Sequence, residues 1–221
     1  MEFHLIYKGP LPSENRRNPR SREKHKVRKA FHKQLQELWK QNPLLRKQLE
    51  WPVIVMRTSA NLVSYPGPGV LQLLHADKEN PRAKPWVEHL ADKHTKYGYR
   101  FVPLVLKEFG VTCSLDILFL RRDNPGNLIR TGGDIDNRIK VLLDGLKMPD
   151  SEIRGFKPEP HENPFFCLLE DDCLITGINV TTDRLLLPVG GDENVHDVLI
   201  EILVKTRAVD PDALFADVHQ V

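Results

Sequence analysis

Residues 111–122, VTCSLDILFLRR, alternate apolar and polar almost without interruption, with Val111, Cys113, Leu115, Ile117 and Phe119 all on one side. Successive side chains of a strand point to opposite faces, so a period of two predicts an extended segment with one face against a core. Such a strand needs partners at its edges and an apolar cover on its inner face. Candidates for the partners are EFHLIY, alternating at Phe3, Leu5 and Tyr7, and the runs at 173–186 and 195–206. Helical spacing supplies the cover. From 21, where Ser21 is a candidate cap, to about 49, Val27, Phe31, Leu35 and Leu38 form one stripe. That stripe leaves Arg28, Lys29, Lys33 and Lys40 largely outside it. A second helix over about 134–147 carries Ile139, Leu142, Leu143 and Leu146 on its apolar side. The expected fold is α+β: a small mixed sheet covered by two helices, in the order strand, helix, insertion, strand, helix, strand, strand.

The insertion is residues 50–100. SYPGPG and ADKENPRAKPW read as irregular chain, with a short helix around 86–94. The segment is poor in core runs, so it is expected as part of a single domain spanning 1–221 and not as a domain of its own. A long proline-rich connection is expected after the second helix. At 40% hydrophobic and 28% charged, the chain has enough apolar material for a core and is not of the disordered class. No apolar run is long enough for a membrane span, and the N-terminus lacks the pattern of a signal peptide. The three cysteines and nine histidines show no zinc-ligand spacing. Reduced thiols in a cytoplasmic protein are expected.

Charge is unevenly distributed. The net value is only +2, yet residues 16–47 hold twelve Lys or Arg against Glu23 and Glu37. This reads either as a surface for a polyanion or as a solvated helix face. Acids cluster further on. GGDIDNRIKVLLDG (132–145) places Asp134 and Asp136 at a helix start, with Lys140 one turn on, and LEDDCLI (169–175) opens a strand. Asp is a favoured helix cap, acids suit the first turn, and Asp136–Lys140 is a favourable i,i+4 pair. The alternative is that the two clusters converge. Converging carboxylates need a cation among them, and hard oxygen ligands suit Mg²⁺, with Mn²⁺ as a substitute. Asp136, Lys140 and Asp144 repeat along one helix face in either case.

GDIDNRIKVLLDGL followed by EDDCLI resembles the RusA family of Holliday junction resolvases. Members carry Asp-x-Asp-Asn opening a helix, a Lys four residues after the second Asp, and a later Asp-Asp pair entering a strand. Those positions are Asp134, Asp136, Asn137, Lys140, Asp171 and Asp172 here. The early Pro12–Asn15 turn also resembles the family, while residues 50–100 have no counterpart. The resemblance implies a homodimeric, Mg²⁺-dependent endonuclease that cleaves four-way DNA junctions in recombination and repair. It implies that Asp134, Asp136 and Asp172 hold the metal, with Asp171 as a rival, and that Lys140 stabilises charge on the phosphate. Asn137 would orient an aspartate or water, and Asp144 would support the site from behind. Expected DNA contacts are Arg121, Arg122 and Arg130 near the acids, and Lys24, Lys26, Arg28 and Lys29 on the first helix. Trp51, Trp86, Tyr97 and Tyr99 are expected to pack the insertion onto the body. A DNA-binding accessory protein without cleavage, or a nuclease for other branched DNA, are the rival expectations.

Overall fold

The computed structural model describes residues 1–13, 20–57, 71–75, 80, 82–122, 135–186 and 197–209. In chain order its first half contains β1 (Glu2–Pro10), α1 (Ser21–Gln41), α2 (Pro43–Glu50), β2 (Pro52–Arg57), β3 (Leu71–His75), β4 (Lys84–Pro85), α3 (Trp86–Lys93), β5 (Thr95–Lys96) and β6 (Tyr99–Val105). The second half contains β7 (Val111–Arg121), α4 (Ile135–Leu146), β8 (Phe165–Leu169), β9 (Ile175–Arg184) and β10 (Asp197–Ala208). The fold is α+β.

The alternating strand is central. β7 pairs antiparallel with β10 and parallel with β9, and β1 pairs antiparallel with the far side of β10, giving the mixed order β1-β10-β7-β9. Val111, Cys113, Leu115, Ile117 and Phe119 are buried, as are Val198, Ile200, Ile202 and Val204 of β10 and Leu5 and Tyr7 of β1. The inner face of the sheet is therefore continuous across these three strands. Val27, Phe31 and Leu35 of α1 are buried in the same core, and Leu38 is partly buried against it.

Several expectations are corrected. The helix predicted over 21–49 is two helices. Pro43 disfavours helical geometry at the residue before it, and Asn42 takes an extended ψ of 122°. The Asn42 side chain then caps α2, accepting hydrogen bonds from the amides of Leu44 and Leu45 at 3.0 and 3.2 Å. Ser21 is the first helical residue and not the cap; Arg20, at φ 55°, takes that position. The segment read as poor in core runs contributes Trp86, Val87, Leu90 and Ala91 to the main core. Six strands, β2 to β6 and β8, escaped the sequence reading. β6 and β8 pair in parallel, and β8 is FFCLL with every residue buried. A strand covered on both faces has no alternation to betray it.

β8 is fastened to α1 by aromatic and imidazole packing. The His32 ring stacks on Phe165 at 4.4 Å, and its Nδ1 accepts the Phe166 amide hydrogen bond at 2.9 Å. That bond makes the other nitrogen the protonated one, and Nε2 donates to the His161 carbonyl at 3.2 Å. His25 lies 5.0 Å from Phe156 and meets the Tyr99 hydroxyl at 3.3 Å. Burial, reinforced by the positive charges of Arg28 and Lys29, pulls the His25 pKa down to about 4; burial also lowers that of His32. The folded chain thus holds neutral imidazoles, while the unfolded chain takes up protons below its ordinary pKa of about 6.5. Stability from His25 is complete above about 6.5 and is lost as pH falls towards 4. Urea denaturation at pH 7 and pH 5 should therefore show a less stable protein at pH 5, with His25→Phe shallowing the loss. Equal pH dependence in the two proteins would contradict this account.

Candidate functional site

The two acidic segments are brought together by backbone pairing. Immediately after α4, Lys147 forms a parallel bridge with Leu169, and the Met148 amide donates to the Leu169 carbonyl at 2.9 Å. Leu169 ends β8, and Glu170, Asp171 and Asp172 follow it. The end of the acid-bearing helix is thus laid beside the start of the second cluster. Gly145 permits this placement. It lies where α4 crosses α1, and a methyl group there would collide with Val27.

The three consecutive acids have separate partners. Glu170 accepts a hydrogen bond from the Lys107 amide at 3.0 Å. Asp171 caps the single 3₁₀ turn 172–174, accepting from the Cys173 amide at 2.9 Å, and this bond holds its carboxyl below the usual pKa. Asp172 is half exposed, and its Oδ2 lies 3.0 Å from Lys147 Nζ. Asp172 also lines a cleft of about 510 Å³ together with Asp136, Lys140 and Asp144 of α4. The cleft's apolar side is formed by Ile135, Ile139 and Leu143 of α4 and by Ile178 and Val180 of β9. Asp136, Lys140 and Asp144 therefore share one face, as their spacing predicts, and Asp172 joins them. Asp171 does not line this cleft.

Behind the cleft stands a layer of charge that sequence reasoning placed elsewhere. Lys24 and Arg28 were expected to contact DNA, yet both are buried, Arg28 at 1% exposure. Lys24 Nζ lies 2.7 Å from Asp144 Oδ2. The Arg28 guanidinium donates to the carbonyls of Asp144 (2.6 Å) and Lys147 (3.2 Å) and to Glu152 Oε1 (3.1 Å). It thereby satisfies backbone acceptors at the C-terminal end of α4 and sits favourably at the negative end of its dipole. Both residues lie at helical spacing from Phe31 and so on the buried stripe; that arithmetic was the available signal. Lys147, which the sequence reading missed, is 12% exposed among Asp172, Asp144 (3.7 Å) and Asp150 (3.8 Å). Burial opposes its charge, but the hydrogen bond to Asp172 and the fields of the three aspartates together raise its pKa.

Other expected DNA contacts divide as follows. Lys29 is paired with Glu159 and Glu162, both at 2.7 Å, and so is engaged within the chain. Lys26 is exposed. Arg121 is buried, because it continues the inward-facing odd positions of β7; Arg122 is partly exposed. Asp134 and Arg130 lie outside the described residues. Trp86 and Tyr99 pack into the interior as expected, whereas Trp51 and Tyr97 stay exposed, with Lys47 and Arg154 over their rings at 5.2 and 5.7 Å.

Among the described residues, no three His, Cys, Asp or Glu side chains are grouped so as to hold a metal ion. The donors that do line the cleft are all carboxylates, which suit Mg²⁺ or Mn²⁺ and not an ion that seeks thiolate. The three cysteines are free. Among the described residues no helix is long and apolar enough to cross a membrane. Comparison of the chain with protein-family models, with curated proteins and with solved structures finds no match.

Arg28→Ala separates the two roles considered for the basic helix. Loss of a buried charge that engages two carbonyls and Glu152 should lower stability by about 3 kcal/mol in urea denaturation. A plain phosphate contact would instead leave stability unchanged.

Proposed function

We propose that the chain is a divalent-metal-dependent endonuclease of the RusA kind that cuts four-way DNA junctions. The observation that carries this reading is one cleft lined by Asp136 and Lys140 of α4 and by Asp172, which is distant from them in sequence; all three stand at positions of the family motif. In this reading Asp134, Asp136 and Asp172 would hold Mg²⁺ or Mn²⁺. When bound, the metal supplies charge to polarise a phosphodiester and to activate water.

The chain's own residues have distinct tasks. Asp136 and Asp172 present hard oxygen donors from two elements whose separation is fixed by the Met148–Leu169 hydrogen bond. Lys140, exposed one turn beyond Asp136, sets a positive charge at the cleft mouth, where it would stabilise negative charge developing on phosphate oxygens. In this reading Asp171 caps the 172–174 turn, and Asp172, which lines the cleft, is preferred to it as the ligand. Asp144, held by Lys24 and Lys147, steadies the site from behind. With Lys24, Lys29, Arg28 and Arg121 engaged or buried, DNA contacts are assigned to Lys26, Arg122 and Arg130. A homodimer would present two such clefts to the two strands that a junction resolvase must cut.

A second reading, a junction-binding protein without cleavage, draws support from the ion pair between Asp172 and Lys147. Incubation with a synthetic four-way junction in Mg²⁺ or in EDTA separates the two, and a linear duplex tests substrate class. Asp136→Asn and Asp172→Asn should each abolish nicking while junction binding in EDTA persists; full activity of either variant would remove it from the ligand set. Lys140→Ala should slow single-turnover cleavage by about a hundredfold, with binding changed far less. An equal loss in both would make Lys140 an ordinary phosphate contact.

A further inference from the structure

Lys147 meets two residues that line the cleft, Asp172 and Asp144. Its backbone is held from two sides: its carbonyl accepts from Arg28 Nε at 3.2 Å, and the following amide pairs with Leu169. Its side chain, 12% exposed, ends among three carboxylates at unequal distances. Nζ makes a hydrogen bond with Asp172 Oδ2 at 3.0 Å, while Asp144 Oδ1 at 3.7 Å and Asp150 Oδ2 at 3.8 Å are within ion-pair reach but beyond a good hydrogen bond. Asp144 is itself prepared for a second cation. Its Oδ2 is taken by Lys24 at 2.7 Å, which leaves Oδ1 turned to Lys147. A small rotation of the lysine tip would exchange one short contact for two others without moving the backbone.

We propose that Lys147 is the resident counter-ion of Asp172, and that a divalent cation binding Asp172 displaces it onto Asp144 and Asp150. This inference rests on the reading of the cleft as a divalent-cation site. Its physical basis is competition. One carboxylate oxygen has limited room for a lysine ammonium and a divalent cation side by side, and like charges within a few ångströms repel strongly where water is partly excluded. The alternative berth keeps the displaced ammonium paired, so the lysine need not be left as an uncompensated, mostly buried charge. Lys147 then acts on the metal through Asp172 and is a positioning residue. It keeps Asp172 aimed into the cleft before the metal arrives, at the expense of intrinsic metal affinity.

Isothermal titration of MgCl₂ and MnCl₂ into the 221-residue chain without DNA tests this. Lys147→Gln should bind the metal about fivefold more tightly, or better, than the wild-type chain. Lys147→Arg, which keeps the charge, should stay within about twofold, as expected if charge and not shape sets the competition. Asp136→Asn should weaken binding at least tenfold, which tests the metal reading by itself. An unchanged or weaker Kd for folded Lys147→Gln overturns the displacement, while loss of binding in Asp136→Asn leaves the metal reading standing. Absence of any binding by the wild-type chain removes both. Should Lys147→Gln fail to fold by circular dichroism, the wild-type chain labelled with ¹³Cε-lysine decides the matter. The Lys147 resonance should shift with Mg²⁺ at the calorimetric midpoint, and a resonance fixed through saturation overturns the proposal.

Discussion

The hydrogen bond from the Met148 amide to the Leu169 carbonyl is the constraint on which the cleft depends. It joins the second residue beyond α4 to the last residue of β8, and so makes neighbours of two acidic segments separated by a long connection. β8 does not reach this position alone. It runs in parallel beside β6, and α1 fixes it from the other side through His32, whose ring both stacks on Phe165 and accepts the Phe166 amide. The same helix reaches α4 through Lys24 and Arg28. α1 therefore acts as a common strut, setting β8 and α4 against each other from one rigid element. Rigid support of this kind is what a constellation of side chains from different elements requires.

Placing Lys24 and Arg28 in the interior is costly by itself, since each charge gives up water. The cost is met by specific partners: Asp144 for Lys24, and Glu152 with two helix carbonyls for Arg28. Buried pairs of this type contribute little net stability compared with apolar residues of similar size, but breaking them is expensive. Their effect here is geometric. They fix the end of α4 and hold Asp144 in one orientation. Asp144 thus differs from Asp136 on the same face, although the two look equivalent in the sequence. Glu170, Asp171 and Asp172 are likewise distinguished by their neighbours, one bound to the Lys107 amide, one capping a turn and one left at the cleft.

The legible parts of the sequence were those with a period. β7 and β1 follow from alternation, the runs at 173–186 and 195–206 were also read as strands, and the shared face of Asp136, Lys140 and Asp144 follows from helical spacing. β8 was hidden because FFCLL is buried on both sides and carries no period, and its loss from the reading concealed the link between the acid clusters. The break at Asn42–Pro43 was present in the sequence as a proline, outweighed by the apolar stripe around it. Lys24, Arg28 and Arg121 were misassigned because residue type was allowed to override position: each occupies an inward slot of its element. The roles of Glu170 and Asp171 depend on backbone amides, which no residue pattern announces.

The basic character of the N-terminal segment takes on a different meaning once these positions are known. A run of Lys and Arg is ordinarily taken as a surface for a polyanion. Here part of that charge is directed inward, towards the acids of the chain's own cleft. The cleft consequently has two layers. The inner one combines Lys24 with Asp144, the outer one combines Asp136 and Asp172 with Lys140, and Lys147 stands between them, 3.0 Å from Asp172 and 3.7 Å from Asp144. Counted as full charges, the three lysines balance the three aspartates, with Lys147 shared between the layers. The inner layer keeps the carboxylates from repelling one another apart before any ligand arrives. On the proposed reading, a divalent cation at Asp136 and Asp172 would turn this balanced cleft net positive and draw a phosphodiester into it, while the contacts assigned to Lys26, Arg122 and Arg130 would hold the junction with or without the metal.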